Sequence, residues 1–293
     1  MWPLFYLACS VDADCLVVSD ALRCAATDLG GGAEARREAR WLMQQVTGWS
    51  HADLIARGDT PLAPALLQTF GALLARRVQG EPLAYLVGYT EFRGRRFAVE
   101  PAVLVPRPET EELVTLVLAE LASQARPRCL ELGTGSGAIA VSLALELPAA
   151  QIVATDLSTR ALAVAKNNAQ TLQATIDFRA GSWYAPLALG ERFDLIVSNP
   201  PYIAAGDPHL YGDGLRFEPM SALSDGGDGL DCIREIVAGA RDHLFSGGSL
   251  WFEHGYDQGS ASRNLLQAAG FEAVLTHQDF AGHDRISGGR LFF

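Results

Sequence analysis

The residues best placed to do chemistry in this chain lie in three short stretches. They are the tetrapeptide Asn199-Pro200-Pro201-Tyr202, the loop Gly133-Thr134-Gly135-Ser136-Gly137 with Glu131 just before it, and Asp156. In the tetrapeptide, two prolines stiffen the turn and remove two backbone donors. The side-chain oxygen of Asn199 and the carbonyl of Pro200 are then two acceptors able to face one NH2 group, and Tyr202 offers a flat face to a planar group. The group that fits is a conjugated NH2: an adenine N6, a cytosine N4 or a carboxamide. Such a nitrogen is a weak nucleophile because its lone pair is delocalised. Two acceptors orient it and favour the electron shift as it attacks an electrophilic carbon. No strong base is needed first, since the proton can leave afterwards, and the chain shows no nucleophile–His–acid triad. Asn199, Pro200 and Tyr202 are the catalytic candidates; with Pro201 they are also the substrate-binding ones.

The glycine loop opens a helix directly after the strand Cys129–Leu132. Glycines there let the backbone turn sharply and let a ligand approach it closely. Asp156 closes the next strand, where a carboxylate can accept from both hydroxyls of a ribose. Loop and acid together point to an adenosine-type ligand at the strand C-termini. Gly135-x-Gly137-x-x-Ala140 also fits the dinucleotide fingerprint, so the loop by itself does not separate NAD from S-adenosylmethionine. Glu131 leans towards the latter: an acid at that point can bind a cationic amino acid end and would repel a pyrophosphate. Glu131, Gly133, Thr134, Gly135, Ser136, Gly137 and Asp156 are the cofactor-binding candidates.

The elements that must hold these residues read as βα alternation. Strands are expected at 128–132, 151–156, 175–179, 193–198, 248–254 and 271–276, and a last one from about 290 to 293. Helices are expected at 138–146, 160–170, 230–244 and 259–269. This is α/β: a mostly parallel sheet with helices on both faces, ending in a hairpin that adds an antiparallel edge. Phe92-Arg93-Gly94-Arg95 reads as a tight turn between two short extended runs, and a helix follows from about Thr110 to Ser123. Ahead of it, residues 33 to about 88 read as helical, with Ser50-His-Ala-Asp53 as a capping pattern.

The chain has 293 residues, which suits two domains. Its 49% hydrophobic and 19% charged residues are globular in balance, and its net charge of −11 gives no positive field for non-specific DNA binding. No run is long and apolar enough to cross a membrane, and the apolar start lacks the basic residue of a secretory signal. Five scattered cysteines without a CxxC pair support neither a disulfide framework nor a zinc site. Free thiols and a cytoplasmic location are expected.

Several segments together resemble one family. Glu131-Leu-Gly-Thr-Gly-Ser-Gly137 and Asn199-Pro-Pro-Tyr202 are similar to the class I amino-methyltransferases. Gly80-Glu-Pro-Leu-Ala-Tyr-Leu-Val-Gly88, Glu91-Phe-Arg-Gly94 and Val105-Pro-Arg-Pro-Glu-Thr-Glu111 resemble the bacterial peptide chain release factor glutamine methyltransferases. So do Phe217-Glu-Pro219, Asp225-Gly-Gly-Asp-Gly-Leu230, Glu253-His-Gly255 and Asp279-Phe-Ala-Gly-His-Asp-Arg285. The resemblance runs from about residue 33 to the C-terminus. It implies a Rossmann-like, seven-stranded class I methyltransferase domain over 108–293 and a helical substrate-docking domain over 19–89. A β-hairpin linker over 90–107 would join them, and residues 1–18 would be an extension. It implies S-adenosyl-L-methionine as cofactor, S-adenosyl-L-homocysteine as product, and N5 methylation of the glutamine in the Gly-Gly-Gln motif of class 1 release factors. It adds Trp183 against the adenine and sets Asn199 beside both cofactor and glutamine amide. Neither a metal, a membrane nor direct contact with nucleic acid is implied, and the chain is taken as a monomer. Arg107 and Glu109 are expected to be structural or lid residues, and His254 structural although it follows a strand near the cofactor.

Other readings are a glutamine methyltransferase acting on a ribosomal protein and an adenine-N6 DNA methyltransferase. The latter would need a basic face to hold a flipped base. A nucleotide-binding oxidoreductase leaves the tetrapeptide without a role. An inactive interaction protein sits poorly with Gly133, Asp156 and Asn199 all in place.

Overall fold

The computed structural model describes residues 16–212 and 214–293, and the expected extension over 1–18 lies mostly outside them. The chain divides into two compact units, one ending at Gly88 and one running from Tyr89 to Phe293.

The first unit consists of α1 (Val18–Asp28), α2 (Gly32–Thr47), α3 (His51–Ala56), α4 (Pro64–Val78) and α5 (Leu83–Val87). The sequence punctuates them. Gly48 takes a left-handed conformation to end α2, and Pro64 opens α4 where a missing N–H costs nothing. Ser50 and Asp53 form a reciprocal capping box at α3. The helices bury Val18, Ala21, Leu42, Met43, Phe70 and Leu74 in one core. A two-pronged ion pair from Arg77 to Glu38, at 2.8 and 2.9 Å, ties α4 to α2. Helix α1 lies ahead of the stretch from 33 that reads as helical residue by residue, though within the helical domain over 19–89 that the resemblance implies; it buries only small residues apart from Val18, so its apolar face is weakly marked. Cys129 and Cys232 are free thiols.

The second unit opens with a hairpin of β1 (Tyr89–Phe92) and β2 (Arg95–Ala98). Its two turn residues, Arg93 and Gly94, both have positive φ, 49° and 70°, as the twist of a two-residue hairpin demands. Then come α6 (Pro108–Leu121), β3 (Arg128–Leu132), α7 (Ala138–Glu146), β4 (Gln151–Asp156), α8 (Thr159–Leu172), β5 (Asp177–Ala180) and β6 (Phe193–Ser198). Two short 3-10 turns lead to α9 (Met220–Leu223), α10 (Asp231–His243), β7 (Leu244–Glu253), α11 (Gly259–Ala268), β8 (Phe271–Gln278) and β9 (Asp284–Leu291).

The seven strands form one sheet in the order β5-β4-β3-β6-β7-β9-β8. Strands β5 to β7 are parallel neighbours, and β9 runs antiparallel to both β7 and β8. The closing hairpin is thus present, with its second strand inserted between β7 and β8. Strand β9 starts six residues earlier than its apolar end signalled. The paired Gly288 and Gly289 interrupt the pattern because Trp251 and the β8 backbone press on them, leaving no room for a Cβ.

The core lies on both faces of the sheet. Alternate residues Cys129, Ile152, Leu195 and Trp251 pack with α6 to α8 on one side. Their neighbours Leu130, Val153, Ile196 and Phe252 pack with α10 and α11 on the other. The chain leaves β3 towards β4 and β5, then returns to β6 on β3's other side. That reversal opens a crevice at the C-terminal ends of β3, β4 and β6, where open α/β sheets bind ligands.

Candidate active site

Leu132, Asp156 and Ser198 end the three strands that meet at the crevice, so the glycine loop, Asp156 and the tetrapeptide converge there. Two cavities result. The larger, of about 450 Å3, is lined by Glu131, Gly133, Thr134, Gly135, Ser136, Asp156, Trp183, Asn199 and Pro201. The smaller, of about 280 Å3, is lined by Asn199, Pro200 and Tyr202 together with Arg107, Glu109, Glu253 and Arg285. Asn199 lines both. Of the expected site residues only Gly137 lines neither; its absent side chain lets α7 pack on α8, since a Cβ there would lie 3.1 Å from that of Ala165.

The larger cavity is shaped by backbone and by two acids, Glu131 buried and Asp156 half-buried. Gly137 begins α7 without a capping side chain, and Glu131 supplies the cap from the strand instead. One oxygen of Glu131 accepts from the Thr134 hydroxyl at 2.6 Å and from the Ala140 N–H at 3.0 Å. Burial pushes the Glu131 carboxyl up to about 8, despite these two bonds. Asp156 accepts from the Gly135 N–H and the Ser158 N–H, both at 2.8 Å, and burial raises its pKa as well. Each acid thus braces the loop and keeps lone pairs for a ligand. Trp183 sits opposite: a Cβ on Gly133 would come within 3.3 Å of its ring. Its φ of 44° is held by Thr155, whose hydroxyl donates to the Trp183 carbonyl at 3.0 Å. Buried Asn168 donates to the Ser136 carbonyl at 2.9 Å and exchanges bonds with both backbone groups of Ala98, tying the loop to the hairpin.

The smaller cavity is assembled from side chains far apart in sequence. The Asn199 amide nitrogen donates to the Thr110 hydroxyl at 2.9 Å. That hydroxyl donates to one oxygen of Glu253 at 2.7 Å, and the Tyr202 hydroxyl donates to the other at 3.0 Å. Burial raises the pKa of Glu253 and of Tyr202. Arg107 is paired with buried Glu218, which also accepts from the Val105 N–H at 3.0 Å, so this pair fixes the approach to α6. Gln258 holds the Tyr202 carbonyl from behind at 2.9 Å, and Gly229 packs so closely that a Cβ would fall 2.5 Å from the same oxygen. Asp225 shapes that glycine turn by accepting from Gly227, Gly229 and Asp231. His254 is fully buried, bonded to Gly255 and Ser287, and lines neither cavity; burial lowers its pKa.

Reading residues in isolation missed Thr110, Glu253, Asn168, Asp225 and Gln258. One signal was available for Glu253. It is an acid closing a buried strand, the position that Glu131 and Asp156 occupy on or near their own strand ends.

The family described as PrmC N-terminal domain matches residues 20–88, and that described as methyltransferase small domain matches residues 110–211. A release factor glutamine methyltransferase from Bordetella pertussis is 52% identical over 87% of this chain and 95% of its own length. One from Burkholderia pseudomallei is 51% identical over 87% of this chain and 91% of its own. The chain belongs to the release factor glutamine methyltransferase family. A methyltransferase from Pyrococcus furiosus, 19% identical, superposes with a TM-score of 0.51 over 75% of this chain and 98% of that one, and so shares the fold. Among the described residues, no helix is long and apolar enough to cross a membrane.

Proposed function

We propose that this protein methylates the N5 side-chain amide nitrogen of the glutamine in the Gly-Gly-Gln motif of class 1 peptide chain release factors. The methyl donor in this reading is S-adenosyl-L-methionine. The observation that carries it is the position of Asn199 between two cavities, one shaped by glycines and acids and the other, of about 280 Å3, lined by side chains. Family membership supplies the substrate.

The donor set of the larger cavity fits the cofactor. Asp156 retains lone pairs for ribose hydroxyls, Glu131 is a buried carboxyl that a cationic amino acid end would draw into its ionised form, and Trp183 with the bare Gly133 backbone offers a flat slot. The volume of about 450 Å3 lies in the ordinary range for cofactor sites, roughly 300–1,000 Å3. When bound, the cofactor supplies an electrophilic methyl on a cationic sulfur. The chain's own residues then do three things. Asn199 Oδ1 and the Pro200 carbonyl accept the two amide hydrogens and orient the nitrogen. They stabilise the positive charge that would develop on the nitrogen as the new N–C bond forms and the methyl's bond to sulfur breaks, leaving a neutral thioether. The nitrogen then loses one proton after transfer. A glutamate presents only oxygens to these acceptors and is turned away.

The separate helical unit is assigned to docking the folded release factor, because a glutamine amide alone has few distinguishing atoms. Removing residues 1–89 is expected to abolish transfer to the intact factor and leave cofactor binding. The test of the function is mass spectrometry of an unmodified class 1 release factor incubated with the protein and S-adenosyl-L-methionine. One added methyl on the Gly-Gly-Gln glutamine, absent with Asn199→Ala, supports the reading. No gain, with cofactor binding intact, rejects the partner and directs the search to ribosomal proteins and then DNA.

A further inference from the structure

The chain Asn199–Thr110–Glu253 has a direction that follows from proton counting. A threonine hydroxyl carries one proton and two acceptor lone pairs. Thr110 has its proton on Glu253, whose oxygen is 2.7 Å away. Towards Asn199, 2.9 Å away, it presents only lone pairs, so the group facing it must be the Asn199 NH2. Oδ1 is thereby turned away from Thr110. The Tyr202 hydroxyl occupies the other Glu253 oxygen, so the buried carboxylate accepts on both sides.

We propose that Thr110 and Glu253 are positioning residues: ionised Glu253, acting through the Thr110 hydroxyl, locks the Asn199 amide with its acceptor towards the substrate NH2. The inference rests on the methylation reading above for its meaning, but the lock itself concerns only this chain's residues. A protonated Glu253 donates to Thr110 instead. The Thr110 proton then turns to Asn199, whose amide rotates to accept it, and an NH2 meets the substrate's NH2. The groups facing Glu253 are Thr110 and Glu109 from α6, Tyr202 after β6 and Arg285 from β9. Glu109 and burial favour the protonated form; Arg285 and the two hydroxyls favour the ionised one. Turnover is therefore full above the Glu253 pKa and lost as pH falls through it, at a pH above the usual carboxylate range.

Three variants and one spectrum test this. Thr110→Val keeps the shape and removes the hydroxyl; kcat should fall about 100-fold, with cofactor and release-factor Kd within about threefold. Thr110→Ser should regain most of that loss. Glu253→Gln still offers an oxygen to Thr110, with its NH2 towards Tyr202, so kcat at neutral pH should fall less than about tenfold while the acid limb of the profile disappears. In protein without methyl donor, the side-chain NH2 resonances of 15N-labelled Asn199 should titrate with that same acid limb and stop doing so in Glu253→Gln. Full kcat in Thr110→Val, equal losses in Thr110→Ser and Thr110→Val, or an Asn199 titration unchanged in Glu253→Gln would each overturn the proposal. If wild type leaves the release factor unmethylated, the functional reading fails, and the Asn199 titration still decides the lock.

Discussion

The two cavities that meet at Asn199 are built by different means. The larger is made of backbone: three glycines with φ of 71°, 54° and 82°, braced by Glu131 and Asp156 through N–H groups of the same loop and its flanks. Its floor comes from short local stretches, Glu131 to Ser136, Asp156 to Ser158 and Ser182-Trp183. The smaller is lined by side chains held from across the fold: Glu253 by Thr110, 143 positions away and itself on the wall of the larger cavity, and Arg107 by Glu218, 111 positions away. A backbone site recognises a constant ligand by shape and can be replaced only at the cost of the turn. A side-chain site sets the polarity of a single amide and depends on every member of its network being satisfied.

The comparison is broken most forcefully at Asn199, the polar side chain that both cavities share. Asn199→Ala should reduce kcat by about 10^2- to 10^3-fold, as when one stabilising hydrogen-bond partner is removed from a transition state, with cofactor Kd nearly unchanged. Equal losses in both would place Asn199 on the cofactor side alone. Asp156→Ala tests the other side: calorimetry should show cofactor Kd rising about 10- to 100-fold, because a charged acceptor is lost. A Kd within threefold of wild type would remove Asp156 from the site.

Glu131 sharpens the contrast through pH. Its carboxyl, held near about 8 by burial, is largely protonated at neutral pH, and the ionised form suits a cationic ligand. Cofactor affinity should therefore tighten from pH 6 to 8, by at most about tenfold per pH unit, with proton release on binding. Glu131→Gln should flatten the curve; an unchanged slope assigns the effect elsewhere. The sign for stability is opposite. A pKa raised on folding means that the cofactor-free protein loses stability as pH rises from the ordinary 4.5 towards about 8, which urea titrations at several pH values would show. The smallest effect belongs to Gly137→Ala. Its φ of 82° and the 3.1 Å approach to Ala165 should cost about 1–2 kcal/mol of stability, with a smaller change in cofactor Kd than Asp156→Ala gives. A loss of cofactor affinity at unchanged Tm would put Gly137 at the ligand.

These two modes of construction also decide what could be read beforehand. Strands β3, β4 and β6 and helix α7 have the bounds that alternation, apolar runs and the glycine loop announce, and the hairpin turn at Arg93-Gly94 is where its residues place it. The glycine loop, Asp156 and the tetrapeptide are local patterns, so most of the larger cavity's floor was visible one residue at a time; Trp183 came only through the family resemblance. Its far wall from Pro219 to Asp225 was not, because that segment is a four-residue helix and a turn with no period, whereas Cys232 and Glu235 sit on α10, expected at 230–244. Thr110 and Glu253 were hidden for a different reason. Each looks ordinary in its own element, one in a helix's first turn and one at a strand's end, and only the sheet's reversal brings them to Asn199. Strand β9 was shortened in the reading because Gly288 and Gly289 mimic a loop while serving as room for Trp251.

The most direct test of the two-sided site is a crystal structure of the protein with S-adenosyl-L-homocysteine and a class 1 release factor. The account predicts the cofactor product in the larger cavity, and the Gly-Gly-Gln glutamine in the smaller one with its amide nitrogen in hydrogen-bonding reach of Asn199 Oδ1. A glutamine side chain lodged away from Asn199, or an Asn199 NH2 turned towards it, would contradict the account.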